Sequence, residues 1–167
     1  MTVFKDVQPL SCFLFLVPTA ACLGAYERNI LKFTTPDFKS LTYECDGKNY
    51  PTNGYHWNAG TFDRNSVRSQ ARDAYLDLFK CLQQQYGSAN NGLTFDAWLN
   101  GSMVIGVQFS DLPPSNEYQM ERKSGDTRLK FELNQYLLEE HNLFVIGVFQ
   151  SEVLLDSSSA VSKNYLV

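Results

Sequence analysis

Two neighbouring segments near the C-terminus restrict the fold more than any other part of the chain. Gly125 to Leu133 alternates, with Leu129, Phe131 and Leu133 on one side and Arg128, Lys130 and Glu132 on the other. Period two is the pattern of a strand with one solvated face. Asn142 to Phe149 is almost wholly apolar, β-branched or aromatic, which predicts a strand buried on both faces. A half-wet strand beside a fully buried one predicts a closed β-sandwich, better suited to a shell or a binding surface than to catalysis.

At 167 residues the chain is long enough for one domain with its own core. Aromatic residues make up 14%, and flat rings pack well on sheet faces. The net charge of −4 excludes a global attraction to nucleic acid, and the densest basic cluster, Arg122-Lys123, is too small to act as a basic arm. Cys12, Cys22, Cys45 and Cys81 are too far apart in sequence for zinc-ligand spacing. Two disulfides in any of three pairings are permitted, but free buried thiols are the favoured reading, because cysteine behaves as a small hydrophobe in a core.

Leu10 to Val17 is apolar, follows Lys5, and precedes the small residues of Ala20 to Ala25, so the N-terminus is signal-like. The apolar run is short, Asp6 offsets Lys5, and Pro18 follows directly. A buried strand from Ser11 to Val17, turning after Pro18, is preferred, and secretion stays open. No stretch is long enough to cross a membrane.

Further along, Thr35 to Asp46 predicts a strand running into a turn at Asp46-Gly47. Asn49 to Thr61 reads as a loop with a short strand at Tyr55 to Trp57. Val67, Ala71, Ala74, Tyr75, Leu78, Phe79, Leu82 and Tyr86 form one apolar stripe at helical spacing, with Asp63 or Asn65 as cap and Gly87 as stop. Asp73 and Asp77 share the opposite face with Arg72 and Lys80 and read as solvated. Ser88 to Gly92 is a polar turn, and Thr94 to Leu99 leads into the Asn100-Gly101 turn. A strand from Met103 to Phe109, a loop from Asp111 to Tyr118 and the two strands first described follow; Val153 to Asp156 continues or restarts the last of them. About six strands with one inserted helix indicate a sandwich or jelly roll and exclude a parallel α/β sheet.

Reactive chemistry leaves few traces. There is no Gly-x-Ser-x-Gly elbow and no phosphate-cradling loop. Gly101, Gly106, Gly125 and Gly147 stand singly, where a bulge or close packing explains them. His56 and Trp57, with Tyr55, could stack a ligand; the plainer reading of His56 is a loop histidine. His141 follows Glu139-Glu140 at an exposed turn. Glu44, Asp46, Glu132 and Asp156 are candidate glycosidase carboxylates, but no spacing selects a pair. Asn100-Gly101-Ser102 matches a glycosylation sequon, relevant only if the chain is secreted. No catalytic, cofactor-binding or metal-ligating residue is assigned, and no cofactor is expected.

The order of the pieces resembles the C-terminal half of the double-jelly-roll major capsid proteins of Maverick (Polinton) elements and adintovirus-like viruses. The carriers are Gly24-Ala25-Tyr26 through Asn29 to Phe33, then Phe38 to Gly47 with Pro51, then Tyr75-Leu76-Asp77-Leu78-Phe79. Gly101 to Phe109 with Asp111-Leu112-Pro113 follows, and last come Gly125 to Leu133, Leu143 to Phe149 and Leu154-Leu155-Asp156. The likeness runs from about Ser11 to Asn164, although Ile30-Leu31 stands where the family has Pro-Phe. It implies an antiparallel jelly-roll sandwich with one inserted helix, and a non-enzymatic subunit of a virion capsid, assembling as a homotrimer and with neighbouring subunits. Direct nucleic-acid binding, membrane association and a small-molecule substrate are not expected. On this resemblance residues 1–34 are the last strand of a preceding jelly roll plus a linker, 35–156 the jelly roll, and 157–167 a tail. Family members carry another jelly roll ahead of this region, so a fragment or a transposon-derived relic, intracellular in a host, is part of the expectation. The alternative is a secreted β-sandwich that binds carbohydrate or protein through Tyr55, His56 and Trp57.

Overall fold

The computed structural model describes residues 1–57, 64–86, 92–109, 125–149, 152–155 and 161–164. Two antiparallel sheets carry most of it. The first joins β1 (Thr2–Phe4), β6 (Thr127–Leu133), β3 (Phe38–Cys45) and β4 (Lys48–Tyr55) in the order β1-β6-β3-β4. The second has the order β5-β2-β7, from β5 (Ile105–Gln108), β2 (Ser11–Pro18) and β7 (His141–Val148). Three helices are described: α1 (Thr19–Cys22), α2 (Arg64–Tyr86) and α3 (Phe95–Leu99). β8 (Glu152–Leu155) pairs with β9 (Val161–Asn164) in a separate two-stranded ladder. The tail expected from Ser157 therefore contains a paired strand. The caps Asp63 and Gly87, the loop Asp111 to Tyr118 and the candidate Asp156 lie outside the described residues.

The two sheets face each other across one core. Leu41, Tyr43 and Cys45 alternate inward from β3, and Cys12, Leu14 and Leu16 from β2, all of them buried. Phe109, just past β5, sets its ring edge-on to Tyr43 and Tyr50, with centroids 5.7 and 5.1 Å apart. Each large apolar side chain buried this way stabilises the fold by roughly 1.5–3 kcal/mol. β2 is the middle strand of its sheet, paired with β5 from Ser11 to Leu14 and with β7 from Ser11 to Pro18. Ser11 to Val17, expected as the last strand of a preceding jelly roll, lies in the second sheet, and its Cys12, Leu14 and Leu16 belong to the same core as the buried residues of β3 and β5. The same pairing makes this signal-like segment a structural strand.

β3 and β4 form a hairpin because Asp46 and Gly47 both take left-handed backbone angles (φ 49° and 73°), as a two-residue turn that follows the sheet twist requires. Of the expected loop at Asn49 to Thr61, the part from Asn49 to Tyr55 is strand, and residues 58–61 lie outside the described residues. The ladder first pairs Cys45 with Lys48 and Tyr43 with Tyr50, then slips to join Leu41 with Tyr55. The excess residues, including Gly54 at φ 66°, form a bulge, so hydrogen bonding to β3 prevails over a loop-like composition. Thr94 to Leu99, given no element from sequence, holds α3, capped by Thr94 Oγ1 accepting from Ala97 N at 3.2 Å.

The second strand of the opening pair is not buried on both faces. β7 is the edge of its sheet, and Phe144 and Ile146 remain 39% and 50% exposed. The physical reason is the placement of α2. By register Phe13, Gly106 and Ile146 share one face of the sheet, and a Cβ on Gly106 would lie 3.1 Å from Leu78 Cα. The helix therefore covers that face above β5 and stops short of β7. The alternation expected of β6 holds at Leu129, which is buried, and fails at Phe131, which is partly exposed.

Tyr43 is wholly buried, yet among the described residues its hydroxyl has no hydrogen-bond partner, and burial pushes its pKa well up. An unpaired buried hydroxyl carries a desolvation penalty of about 1–3 kcal/mol. Tyr43→Phe keeps the ring and removes the orphan. We expect it to raise stability by about 1 kcal/mol in urea denaturation; a loss of that size would show that the hydroxyl is bonded.

Candidate assembly surface

The residues suggested as a stacking surface are not available for one. Trp57 is 1% exposed, donates from Nε1 to Pro36 O at 2.9 Å and sets its ring edge-on to Phe38. Tyr55 is buried, and its hydroxyl donates to Asp77 Oδ2 at 2.7 Å. Burial first, and then the Asp77 charge, raise its pKa and keep that proton in place. Only His56 reaches the surface, held by Lys39 O and Asn53 O at 2.9 and 2.7 Å. Asp77 is correspondingly not a freely solvated carboxylate: it takes bonds from both Tyr55 and Lys80, and it ties α2 to β4.

Of the candidate carboxylates, Glu44 and Glu132 face cations. Glu44 pairs with Lys130, whose hydrogen bond and charge hold its carboxyl below the usual range. Glu132 pairs with Lys39 at 2.7 Å, and Asp46 sits in the hairpin turn. His141 binds Thr34 Oγ1 through Nε2 at 2.8 Å, joining the end of β7 to the segment after Phe33. Among the described residues no group of three His, Cys, Asp or Glu side chains could hold a metal. No described helix is long and apolar enough to cross a membrane.

The four cysteines are free thiols, three of them buried and Cys22 half-buried. Burial, and to a lesser extent the Asp77 charge, push the Cys81 thiol up to about 12, and burial raises Cys12 further. Since thiolate is the reacting form, a disulfide reagent at neutral pH should label Cys22 alone, the one thiol outside the buried class. Urea should then expose the rest. Fast labelling of Cys12 or Cys81 in the native protein would contradict this burial.

The surface that does stand out was not expected. Beyond α1, Leu23, Tyr26, Ile30 and Leu31 are exposed, and so are Tyr136 and Leu138 in the segment before β7. Arg28 Nη1 and Glu139 Oε1, 2.8 Å apart, join these two segments. They border a cleft of about 470 Å³, lined among others by Pro18, Lys32, Thr35, Asn100 and Gly101. Next to it an aromatic strip runs over the outer face of the second sheet. Phe15 meets Phe33 at 4.6 Å and stacks on Phe144 at 5.2 Å. Six large apolar side chains left exposed in two segments that an ion pair joins make these segments a candidate interaction surface. Tyr26 and Asn29 were singled out only as markers of resemblance; the sequence signal for the surface was large apolar residues in segments without strand or helix periodicity.

Comparison with protein-family models, with curated proteins and with solved structures finds no match to this chain.

Proposed function

We propose that the chain is a structural, shell-forming capsid protein: the second jelly roll of a double-jelly-roll major capsid subunit, either as a fragment or as a transposon-derived relic. The observation that carries this reading is a two-sheet core with large apolar side chains left exposed beside it, Leu23, Tyr26, Ile30 and Leu31 in one segment and Tyr136 and Leu138 in another. Such a surface on such a scaffold serves self-association. The element order supports it too: an Asp-Gly hairpin, an inserted helix, a Gly-led segment before β5, and β6 and β7 in separate sheets. For the alternative reading, a secreted β-sandwich that binds carbohydrate or protein, Tyr55 and Trp57 do not supply the stacking surface, because both are core residues.

Sedimentation and electron microscopy of the purified chain test the proposal. Trimers or larger closed assemblies are the expected result, dissociated by Tyr26→Asp combined with Leu138→Asp. A monomer at every concentration, glycosylated at Asn100, would overturn it.

A further inference from the structure

We propose that β7 is an open sheet edge that takes the β7 of a second copy of this chain by antiparallel strand addition. The inference goes beyond the shell reading and stands without it. Its first support is the hydrogen-bond parity. Thr19 N donates to Glu140 O at 2.9 Å, and the ladder continues with Val17 opposite Asn142 and Phe15 opposite Phe144. Bonded pairs alternate with unbonded ones in an antiparallel ladder. Leu143, Val145 and Gly147 therefore turn their N–H and C=O groups away from β2. Among the described residues no strand lies beyond them.

The other three edges of the two larger sheets are managed and this one is not. β1 is three residues long. β4 carries Lys48, Pro51 and the bulge at Gly54. At β5, α2 lies against the strand and the Tyr55 hydroxyl oxygen sits 3.4 Å from Gly106 O. Monomeric sheets blunt their edges with such short strands, charges, prolines and covers. β7 reads His-Asn-Leu-Phe-Val-Ile-Gly-Val over eight residues, with no lysine, no carboxylate and no proline. Its inward side chains are also unfinished. Leu143 and Val145 stay half-buried, whereas Leu16 and Leu14, opposite them on β2, are buried.

The strand suits itself. Phe144 and Ile146, its two exposed apolar side chains, flank Val145 at equal offsets. A two-fold axis at Val145 sets Phe144 of each copy beside Ile146 of the other, an aromatic and β-branched cross-strand pair made twice. The same register bonds Val145 to its counterpart and Leu143 to Gly147, so every free edge group between Leu143 and Gly147 is satisfied.

Sedimentation equilibrium and amide hydrogen exchange on the full chain test this. Copies of the parent should associate in pairs through β7, alone or within a larger assembly, with the Leu143, Val145 and Gly147 amides protected in that contact and exposed on dilution, while Asn142, Phe144 and Ile146 stay protected by β2 throughout. Ile146→Lys should raise the dimer dissociation constant at least about tenfold with an unchanged circular dichroism spectrum; Ile146→Thr serves if the lysine variant does not fold. Fast exchange of the three amides at every concentration, or a dimer indifferent to these substitutions, would overturn the inference. Shells without amide protection sink it and leave the shell reading standing; protection without shells does the reverse.

Discussion

Trp57→Ala is expected to cost about 3–5 kcal/mol, a large share of the roughly 5–15 kcal/mol that keeps an ordinary domain folded. The indole fills the end of the first sheet. Its ring meets Phe38 edge-on at 5.2 Å, and Nε1 donates to Pro36 O. Its backbone is fixed as well, with Trp57 N donating to Phe38 O at 3.1 Å and Trp57 O accepting from Asn134 Nδ2 at 3.0 Å. The residue thus ties the entry of β3, the exit of β4 and the end of β6 together. Truncation leaves a cavity and an unpaired Pro36 carbonyl, and both penalties add. Tyr136→Ala is the contrast: that ring is fully exposed, and its loss should stay within about 0.5 kcal/mol. Urea unfolding of the two variants decides between a structural and a ligand-stacking Trp57. A Trp57 variant as stable as the parent would return the residue to the list of binding candidates.

What the sequence disclosed follows from how local its signals are. β2, β3 and α2 were legible because each carries a pattern within its own residues: an apolar run before Pro18, alternation ending on Asp46-Gly47, and a stripe from Val67 to Tyr86. β4 was not, because Asn, Pro and Gly within it signal a turn, and only the open edge of β3 makes a strand of them. β7 was found, but its surroundings were misjudged. Composition reports that Phe144 and Ile146 are apolar; whether a strand has one neighbour or two is settled by topology. The same limit hid the end surface. Leu23, Tyr26 and Leu138 resemble core residues in a sequence, and only the closed core shows that they were left out of it. Asp77 erred in the other direction: its charge pattern with Lys80 suggested solvent, while the Tyr55 hydroxyl comes from a strand more than twenty residues away in sequence.

Gly106→Val is expected to lift α2 off the second sheet. A Cβ at Gly106 would stand 3.1 Å from Leu78 Cα, 3.2 Å from Cys81 Sγ and 3.3 Å from Leu78 Cδ1. A side-chain end can rotate aside, but the Leu78 Cα is helix backbone and moves only with the helix. Alanine already crowds this contact, and valine adds two methyl groups on the same line. Overpacking of this kind costs about 1–3 kcal/mol. Retreat of the helix also stretches the Tyr55–Asp77 hydrogen bond, and a bond to a charged group is worth roughly 1.5–3 kcal/mol. We therefore expect a combined loss of about 3 kcal/mol, or roughly 6–12 °C in Tm for a chain of this length. The two effects are separable. Tyr55→Phe removes the hydrogen bond without crowding, so in a double-mutant cycle with Gly106→Val the losses should fall short of additivity by 0.5 kcal/mol or more, since the second substitution has less left to break. Strict additivity, or a Gly106→Val protein melting with the parent, would mean that α2 does not rest on Gly106 and that the outer face of β5 is as open as that of β7.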